Sequence, residues 1–176
     1  MKIEPTSIAG VMTVEIEPLA DDRGIFARTF CAETFAKHGL LSEFPQSNTS
    51  WNAHRGTLRG MHYQDEPHSE VKLVRCTRGR IYDVIVDLRS DSNTYKKWLA
   101  VELDAQLRNA IYIPAGCAHG FLTLQDDCEV FYQMGESYFP HLARGVRWDD
   151  PEFAIEWPAL PAHISQRDAN YPNYSQ

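Results

Sequence analysis

Three side chains that could do chemistry lie in one apolar, strand-like part of the chain. Arg59 and His62 fall within a single short run, and Lys72 follows just beyond it. A buried cation loses solvation worth several kcal/mol unless a counter-charge compensates for it. Clustered groups of this kind therefore predict a site for an anionic substrate that must also give up a proton.

A second histidine occurs in a recognisable spacing. Residues Pro114–His119 match P-x-G-x-x-H, the second motif of the cupins. Metal-binding cupins supply two more histidines as H-x-H and then a carboxylate, but this chain has His62 followed by Gln64, and Lys72 where the acid is expected. Two histidines without a carboxylate do not complete the usual ligand sets. We therefore predict a cupin pocket with no metal.

Without a metal, His62 is available as a base. Histidine ionises near neutral pH, which suits proton abstraction from carbon. Lys72 could balance the charge of the resulting enolate, and His119 could hydrogen-bond the same oxygen. Inversion at carbon needs a proton donor on the opposite face, and Tyr132 is the candidate. Each residue taken singly could equally be a packed core side chain.

Composition narrows the class of protein. A chain of 176 residues with 43% hydrophobic residues predicts one domain, residues 1–176, with a real core. The net charge of -7 argues against nucleic-acid and membrane-surface partners. No apolar run approaches the ~20 residues of a membrane helix. Four cysteines without a CxxC pair indicate reduced thiols and a cytoplasmic location.

Short strands dominate the predicted elements. Residues 21–24 predict a turn between two strands, and residues 32–38 predict a short helix that Gly39 ends. Residues 71–76 and 80–88 predict a hairpin around Arg78-Gly79. That hairpin would place Lys72 diagonal to Asp83 on one face, so that the carboxylate keeps the lysine charged. A surface ion pair worth ~0–1 kcal/mol is the alternative.

The remaining segments favour an all-β fold. Residues 46–50 predict a loop or edge strand, or alternatively a row of hydrogen-bond donors for a ligand. Residues 138–176 predict loops that wrap the sheet. Many short strands with regular turn signals indicate a sandwich or barrel, and a jelly roll with an internal pocket is the preferred form.

Several motifs taken together resemble one enzyme family along nearly the whole chain. They are Asp22–Phe26, Gln46–Asn48, Leu58–Gln64, Lys72–Arg75, Asp83–Arg89, Ile113–Phe121 and Arg147–Pro151. In this combination the chain resembles the dTDP-4-dehydrorhamnose 3,5-epimerases. The resemblance implies a homodimeric, cupin-like double-stranded β-helix jelly roll with short peripheral helices and no cofactor. It implies a nucleoside-diphosphate 4-keto-6-deoxy sugar as substrate, inverted at C3 and/or C5 through an enolate.

The resemblance also implies roles for individual residues. His62 would be the base, oriented by Asp168, and Tyr132 the acid. Lys72 and His119 would stabilise the oxyanion. The implied substrate-binding residues are Arg23, Arg59 and Asn48 at the diphosphate with Gln46 nearby, Phe26 and Tyr138 stacked on the base, and Arg28 and Arg167 at the periphery. The N-terminal strand would reach into the neighbouring subunit.

Three positions depart from the family pattern. The family usually has glutamate at the positions of Arg28 and Ala143, and lysine at that of Arg167. Reversing a charge at the substrate periphery predicts a retained reaction with a changed nucleotide or sugar. The alternatives are a metal-dependent cupin enzyme, a non-catalytic cupin that binds sugar nucleotides, and a 3,4-ketoisomerase, against which Lys72 with Tyr132 argues.

Overall fold

A computed structural model describes residues 1–174; Ser175 and Gln176, the end of the predicted domain, lie outside the described residues. The first half contains β1 (Lys2–Pro5), β2 (Met12–Glu15), β3 (Leu19–Asp21), β4 (Gly24–Phe26), α1 (Ala32–Lys37), β5 (Gln46–Asn52), β6 (Thr57–Gln64), β7 (Lys72–Arg78) and β8 (Arg80–Asp87). The second contains β9 (Trp98–Asp104), β10 (Ala110–Ile113), β11 (Cys117–Thr123), β12 (Cys128–Met134), β13 (Ala143–Gly145), β14 (His163–Ile164) and α2 (Gln166–Ala169). Within residues 1–174, no helix has the length and apolar character that a membrane span requires.

Two large sheets form the body of the molecule. The first, here the front sheet, has the order β1-β2-β10-β7-β12-β5, and the second, the back sheet, has the order β13-β6-β11-β8-β9 with β14 added beside β6. Every pairing is antiparallel except that of β14 with β6. This arrangement confirms the predicted all-β jelly roll with short peripheral helices.

The sheets face each other across one apolar core. Val74, Ile111 and Val130 of the front sheet pack in one cluster with Ile81 and Ile85 of the back sheet, and all are fully buried. Alternating side chains on a strand point to opposite faces, so the inward set forms this core. Each sheet consequently presents a second apolar face on its outside.

Both outer faces are covered by later or connecting segments. Phe35 of α1 is fully buried against Leu73 and Tyr112 on the outside of the front sheet. On the outside of the back sheet, Val146 and Phe153 of the C-terminal segment belong to the cluster that holds the buried outer residues of β6, β8 and β11. The predicted helix is confirmed to within one residue, and Gly39 follows it with a φ of +70°.

The hairpin predicted around Arg78-Gly79 is wrong. β7 pairs with β10 and β12 in the front sheet, whereas β8 pairs with β9 and β11 in the back sheet. Only Gly79 separates the two strands, which is too short for a hairpin loop of two residues. A Cβ on Gly79 would lie 2.6 Å from the Cys128 sulfur, so a glycine allows the chain to cross between the sheets here.

Three other segments agree more closely with their predictions. The turn at residues 21–24 joins the two-stranded sheet β3-β4, and residues 46–50 belong to β5, the edge strand of the front sheet. The C-terminal segment is mostly loop, as predicted, but it also contains two short strands that pair with β6. β13 pairs with the last three residues of β6, β14 pairs with the first two, and α2 follows β14. These two short strands bring the C-terminal segment to the back of the predicted base.

Candidate active site

A cavity of about 630 Å³ opens between the two sheets at one end of the sandwich. Strands β5, β7 and β12 wall it on the front side, and β6 and β11 wall it on the back side. Nine of the predicted site residues line it: Gln46, Asn48, Arg59, His62, Lys72, His119, Tyr132, Tyr138 and Arg167. The volume lies within the range of sites that enclose a small organic ligand.

His62 stands at the back wall with a carboxylate behind it. Its Nε2 lies 2.8 Å from the Asp168 Oδ1, and the two side chains are 41% and 7% exposed. Burial would raise the pKa of Asp168, but the hydrogen bond and charge of His62, with hydrogen bonds from the Gly60 amide and Ser165, lower the pKa overall. An Nε2–H that donates to this ionised carboxylate leaves the Nδ1 lone pair free to accept a proton.

Local structure fixes Asp168 in this position. The parallel pairing of β14 with β6 places the start of α2 beside the strand that carries His62. Ser165 caps α2 by accepting a hydrogen bond from the Asp168 amide at 3.0 Å. The second carboxylate oxygen accepts a hydrogen bond from the Gly60 amide at 3.3 Å. The acid is therefore held at both its backbone and its side chain.

An irregularity in β6 lets two of its residues face one cavity. Arg59 and His62 are three positions apart, so regular alternation would send them to opposite faces. β6 pairs Arg59 with Phe121 and His62 with His119, which gives β6 one residue more than β11 between the two pairs. This β-bulge resets the alternation. Both Arg59 and His62 line the cavity as a result.

The bulge requires the two strands to approach closely. Gly60 has a φ of +139°, and a Cβ there would lie 2.5 Å from the Gly120 Cα. Any larger residue would push β6 away from β11. The glycines of the two motifs thus serve to place His62 and His119 as direct cross-strand neighbours.

His119 has its own acid partner. Its Nε2 lies 2.8 Å from the Asp83 Oδ2, and Asp83 is fully buried. Burial raises the pKa of Asp83, and the charge and hydrogen bond of His119 and the charge of Lys72 oppose the rise. The predicted pairing of Asp83 with Lys72 is thereby corrected, because the carboxylate hydrogen-bonds the histidine that β11 brings beside β8.

Lys72 instead pairs with Glu70. The lysine Nζ contacts a Glu70 carboxylate oxygen, and the side chains are only 9% and 5% exposed. Both residues line the cavity. The prediction went wrong because it assumed that β7 and β8 share a sheet, whereas the nearest acid is two residues before the lysine on its own chain segment.

Tyr132 reaches the cavity from the front sheet, on the wall opposite His62. It lies on β12 between Asn48 of β5 and Val74 of β7. Burial raises the pKa of Tyr132; Arg59 opposes that rise, and Glu70 and Tyr138 add to it. The phenol therefore stays protonated at neutral pH and is able to donate a proton into the cavity.

Gln64 holds neighbouring loops in place and does not serve as a metal ligand. Its amide nitrogen donates to the carbonyls of His68 and Ser137, and its amide oxygen accepts from the Phe139 amide at 2.7 Å. All three bonds fix the loops that border the cavity. Across residues 1–174, no group of three His, Cys, Asp or Glu side chains is arranged to hold a metal ion. These residues do not fit the metal site of a cupin.

The outer part of the cavity carries groups suited to a nucleotide. Arg59 Nε donates to the Asn52 Oδ1 at 2.7 Å, which orients the guanidinium. Gln46 donates to the Asn48 Oδ1 at 3.1 Å and accepts from the Tyr138 amide at 3.0 Å, so this edge is pre-organised. The Arg167 guanidinium lies 5.7 Å from the centre of the Tyr171 ring. Tyr138 is 48% exposed at the mouth of the cavity and interacts with Arg167.

Three of the predicted substrate-binding residues are absent from this cavity. Arg23, Phe26 and Arg28 belong to or follow the β3-β4 hairpin and do not line the pocket. The hairpin is exposed along its length, and Leu19 and Phe26 are both 73% exposed. Their predicted contacts with substrate stay a prediction.

The structure also brings in residues that the sequence reasoning did not select. Glu70 lines the cavity, as do Arg144, which pairs with Asp65 at 3.0 Å, and Ser50, whose buried hydroxyl has no hydrogen-bond partner within residues 1–174. The i, i+2 spacing of Glu70 and Lys72 was a signal that could have found the first. Strand alternation through Asn48 could have found Ser50.

Comparisons with known proteins agree with this geometry. The family model of dTDP-4-dehydrorhamnose 3,5-epimerase matches residues 5–176. The dTDP-4-dehydrorhamnose 3,5-epimerase of Methanothermobacter thermautotrophicus is 44% identical over 169 residues, covering 94% of this chain and 90% of that protein.

Two solved structures show the same fold at high similarity. The Bacillus anthracis dTDP-4-dehydrorhamnose 3,5-epimerase with TDP and PPi bound has a TM-score of 0.95 and 37% identity, covering 98% of this chain and 99% of that one. A 3'-monoepimerase from Streptomyces bikiniensis in complex with dTDP-quinovose has a TM-score of 0.90 and 35% identity, covering 97% and 86%. The chain belongs to the dTDP-4-dehydrorhamnose 3,5-epimerase family and is an epimerase of the isomerase class.

Proposed function

We propose that this epimerase inverts C3 and/or C5 of a nucleoside-diphosphate 4-keto-6-deoxy sugar, with no cofactor. The observation that carries the proposal is that His62, backed by Asp168, and Tyr132 line one cavity from opposite sheets. A base and an acid on facing walls are what inversion at a carbon needs. The relatives of this chain, which include 3,5-epimerases and a 3'-monoepimerase, support this substrate class.

The first step is removal of a proton from the carbon beside the ketone. The His62 Nδ1 lone pair takes the proton, and the electron pair of the C–H bond moves to the C4 carbonyl oxygen to form the enolate. Asp168 stabilises the imidazolium that results. Lys72 and His119 supply positive charge and a hydrogen bond to the developing oxyanion, at the point where the charge appears.

The second step returns a proton to the other face of the carbon. Tyr132 donates its phenolic proton as the C4 carbonyl re-forms, which leaves a phenolate and an imidazolium. Net exchange with water restores both groups. The raised pKa of Tyr132 supports this role, because the proton must still be present at neutral pH.

The diphosphate is assigned to Arg59 and Asn48, with Gln46 beside them. These three residues line the outer part of the cavity, and their side chains are already held by neighbouring hydrogen bonds. Tyr138 would stack on the base. Such pre-organisation lowers the entropy cost of binding a flexible, doubly charged ligand.

The site is completed by a second copy of the chain in a homodimer. The β3-β4 hairpin exposes Leu19, Ile25 and Phe26, which is more apolar surface than a free hairpin normally carries. Inserted beside the partner's cavity, it would bring Arg23 to the diphosphate, Phe26 to the base and Arg28 to the periphery. We also propose a cytoplasmic location, supported by the free thiols of Cys31, Cys76, Cys117 and Cys128.

The charges at the periphery bear on which nucleotide and sugar bind, and we propose that these differ from those of the family's usual substrate. Arg28 puts a cation on the hairpin, and Ala143 puts a methyl group in the cavity wall. Hydrogen bonds that a carboxylate would accept at either place are lost. Titration with dTDP, CDP, GDP and UDP tests the proposal, and a clear preference for dTDP would contradict a changed nucleotide.

Deuterium exchange tests the reaction itself. The protein is incubated with several 4-keto-6-deoxy nucleotide sugars in deuterated water, and NMR locates the label. Deuterium at C3, C5 or both, with inversion, is expected. Binding without any exchange would indicate a non-catalytic protein, and stoichiometric iron, manganese or zinc in the purified protein would favour a metal-dependent enzyme.

A further inference from the structure

Glu70 is an acid with no assigned role at the wall of the cavity. It lies at the end of the segment that joins β6 to β7, two residues before Lys72. Its side chain is 5% exposed, and its carboxylate contacts the Lys72 ammonium. A buried carboxylate costs free energy unless it is paired, so the role of Glu70 is expected to lie in its pairing with Lys72.

Lys72 needs such a partner more than an arginine would. A lysine carries a compact charge on a flexible stem of four carbons, and this one is 9% exposed. A charge stabilises an oxyanion effectively only if it is already in position before the reaction. Glu70 lies just before β7, and its carboxylate reaches the ammonium of Lys72, the first residue of that strand.

Glu70 also acts on the opposite wall. Arg59 from β6, Glu70 before β7 and Tyr138 from the loop after β12 line the same cavity as Tyr132 and act on its phenol through their charges, and His62, Lys72, His119 and Arg167 share that lining. Arg59 lowers the pKa of Tyr132, whereas Glu70 and Tyr138 raise it, in addition to the larger effect of burial. The Glu70 charge thus favours the protonated phenol.

We propose that Glu70 is a positioning residue that fixes the Lys72 ammonium at the cavity wall for oxyanion stabilisation. The proposal rests on the proposed epimerase function. Glu70 does not touch the reacting carbon; it acts through Lys72. Because Tyr132 is protonated at neutral pH in any case, removal of Glu70 should matter there only while Lys72 is present.

A double-mutant cycle tests that dependence. In deuterium exchange, Lys72→Met should lower kcat by roughly 10²-fold, as loss of an oxyanion partner does. Glu70→Gln should lower it about tenfold, with KM nearly unchanged, because a second-layer contact is lost. The double variant should match Lys72→Met within about twofold. A double variant that falls by the product of the two single losses would overturn the proposal.

The pH profile separates positioning from a merely structural role. Removing the Glu70 charge lowers the pKa of Tyr132, so the fall in rate at high pH should begin at a lower pH in Glu70→Gln. Glu66→Gln, an exposed acid on the same connecting segment, is the matched control and should leave the profile unchanged. An unshifted profile in Glu70→Gln would contradict the proposal.

The ammonium itself provides a readout that does not depend on activity. In protein labelled with ¹⁵N-lysine, the Lys72 NH₃⁺ resonance is assigned by its loss in Lys72→Met. Glu70→Gln should shift or broaden that resonance, and Glu66→Gln should not. If the resonance responds while no sugar exchanges deuterium, positioning stands and the function fails; if exchange proceeds and the resonance is unmoved, the reverse holds. Thermal unfolding of the charge-free double variant checks that the fold survives.

Discussion

The inner end of the cavity and the β3-β4 hairpin differ in how completely one chain builds them. At the inner end, Asp83 and Asp168 are buried, and each holds a histidine at 2.8 Å. The hairpin carries its own predicted site residues, yet Phe26 is 73% exposed and touches no part of the cavity. One chain thus brings together the residues proposed for proton transfer, whereas the hairpin residues proposed for nucleotide binding lie apart from them.

This division has a physical reason. Acid–base groups must be held within a fraction of an ångström, and strands of a packed sandwich provide that rigidity. A nucleotide is bound through several weaker contacts, which an exposed element such as the β3-β4 hairpin can supply. Substitutions at the inner end should therefore change kcat, and substitutions on the hairpin should change KM.

The largest effect is expected at His62. His62→Ala removes the base and should slow deuterium exchange by about 10²–10⁴-fold, with nucleotide affinity retained. His38→Ala changes an exposed histidine on the far side of the front sheet and should leave exchange intact. Near-normal exchange in His62→Ala would disprove the role of His62 as the base. It would also contradict the assignment of proton transfer to the inner end of the cavity.

The next effect is expected at Tyr132. Tyr132→Phe should lower inversion about 10²-fold but exchange much less, because the phenol acts in the final protonation. The measurement compares deuterium incorporation with the configuration of the product. Tyr82→Phe, whose hydroxyl donates to the Glu156 carbonyl on the outer face, is the control. Equal loss of exchange and inversion would mean that the tyrosine only shapes the pocket.

A third substitution, at Asp87, separates an effect on the stability of the fold from an effect on the reaction. Burial would raise the pKa of Asp87, but hydrogen bonds from Arg89, Ser92 and Thr94 lower it to about 2. Because the folded pKa lies below the unfolded value of 3.8, the stabilisation is complete above about pH 4 and is lost as the pH falls towards 2.

Asp87→Asn should therefore lower the free energy of unfolding by about 2 kcal/mol at pH 7, with a smaller difference near pH 2. Urea unfolding at several pH values measures it, and exchange per folded molecule should be unchanged, since Asp87 does not line the cavity. The exposed Asp91→Asn is the control. A constant difference across the pH range would argue against the charge as its source.

The smallest effect is expected on the hairpin. Phe26→Ala should raise KM by about tenfold, as a lost stacking contact does, with kcat almost unchanged. Light scattering should show whether dimerisation weakens as well. Leu160→Ala removes an exposed leucine outside the hairpin and should change neither quantity. A fall in kcat with constant KM would mean that the hairpin acts in the reaction itself, and the proposed division between the two regions would be wrong.

Much of this protein follows from the sequence alone. Strand alternation predicted strands at residues 71–76 and 80–88, and β7 and β8 occupy these positions. The short helix, the turn at residues 21–24 and the family motifs were equally local signals. Alternation, turns and motifs depend on neighbours within a few residues, so they can be read without knowing how the sheets assemble.

Only the tertiary structure decided which strands meet. Because the chain crosses between the sheets at Gly79, β7 and β8 lie in different sheets. Lys72 therefore pairs with Glu70, and Asp83 pairs with His119. The β-bulge at Gly60 turned Arg59 and His62 towards one cavity, against simple alternation. These outcomes depend on close contacts between residues far apart in the chain, whose geometry no local pattern contains.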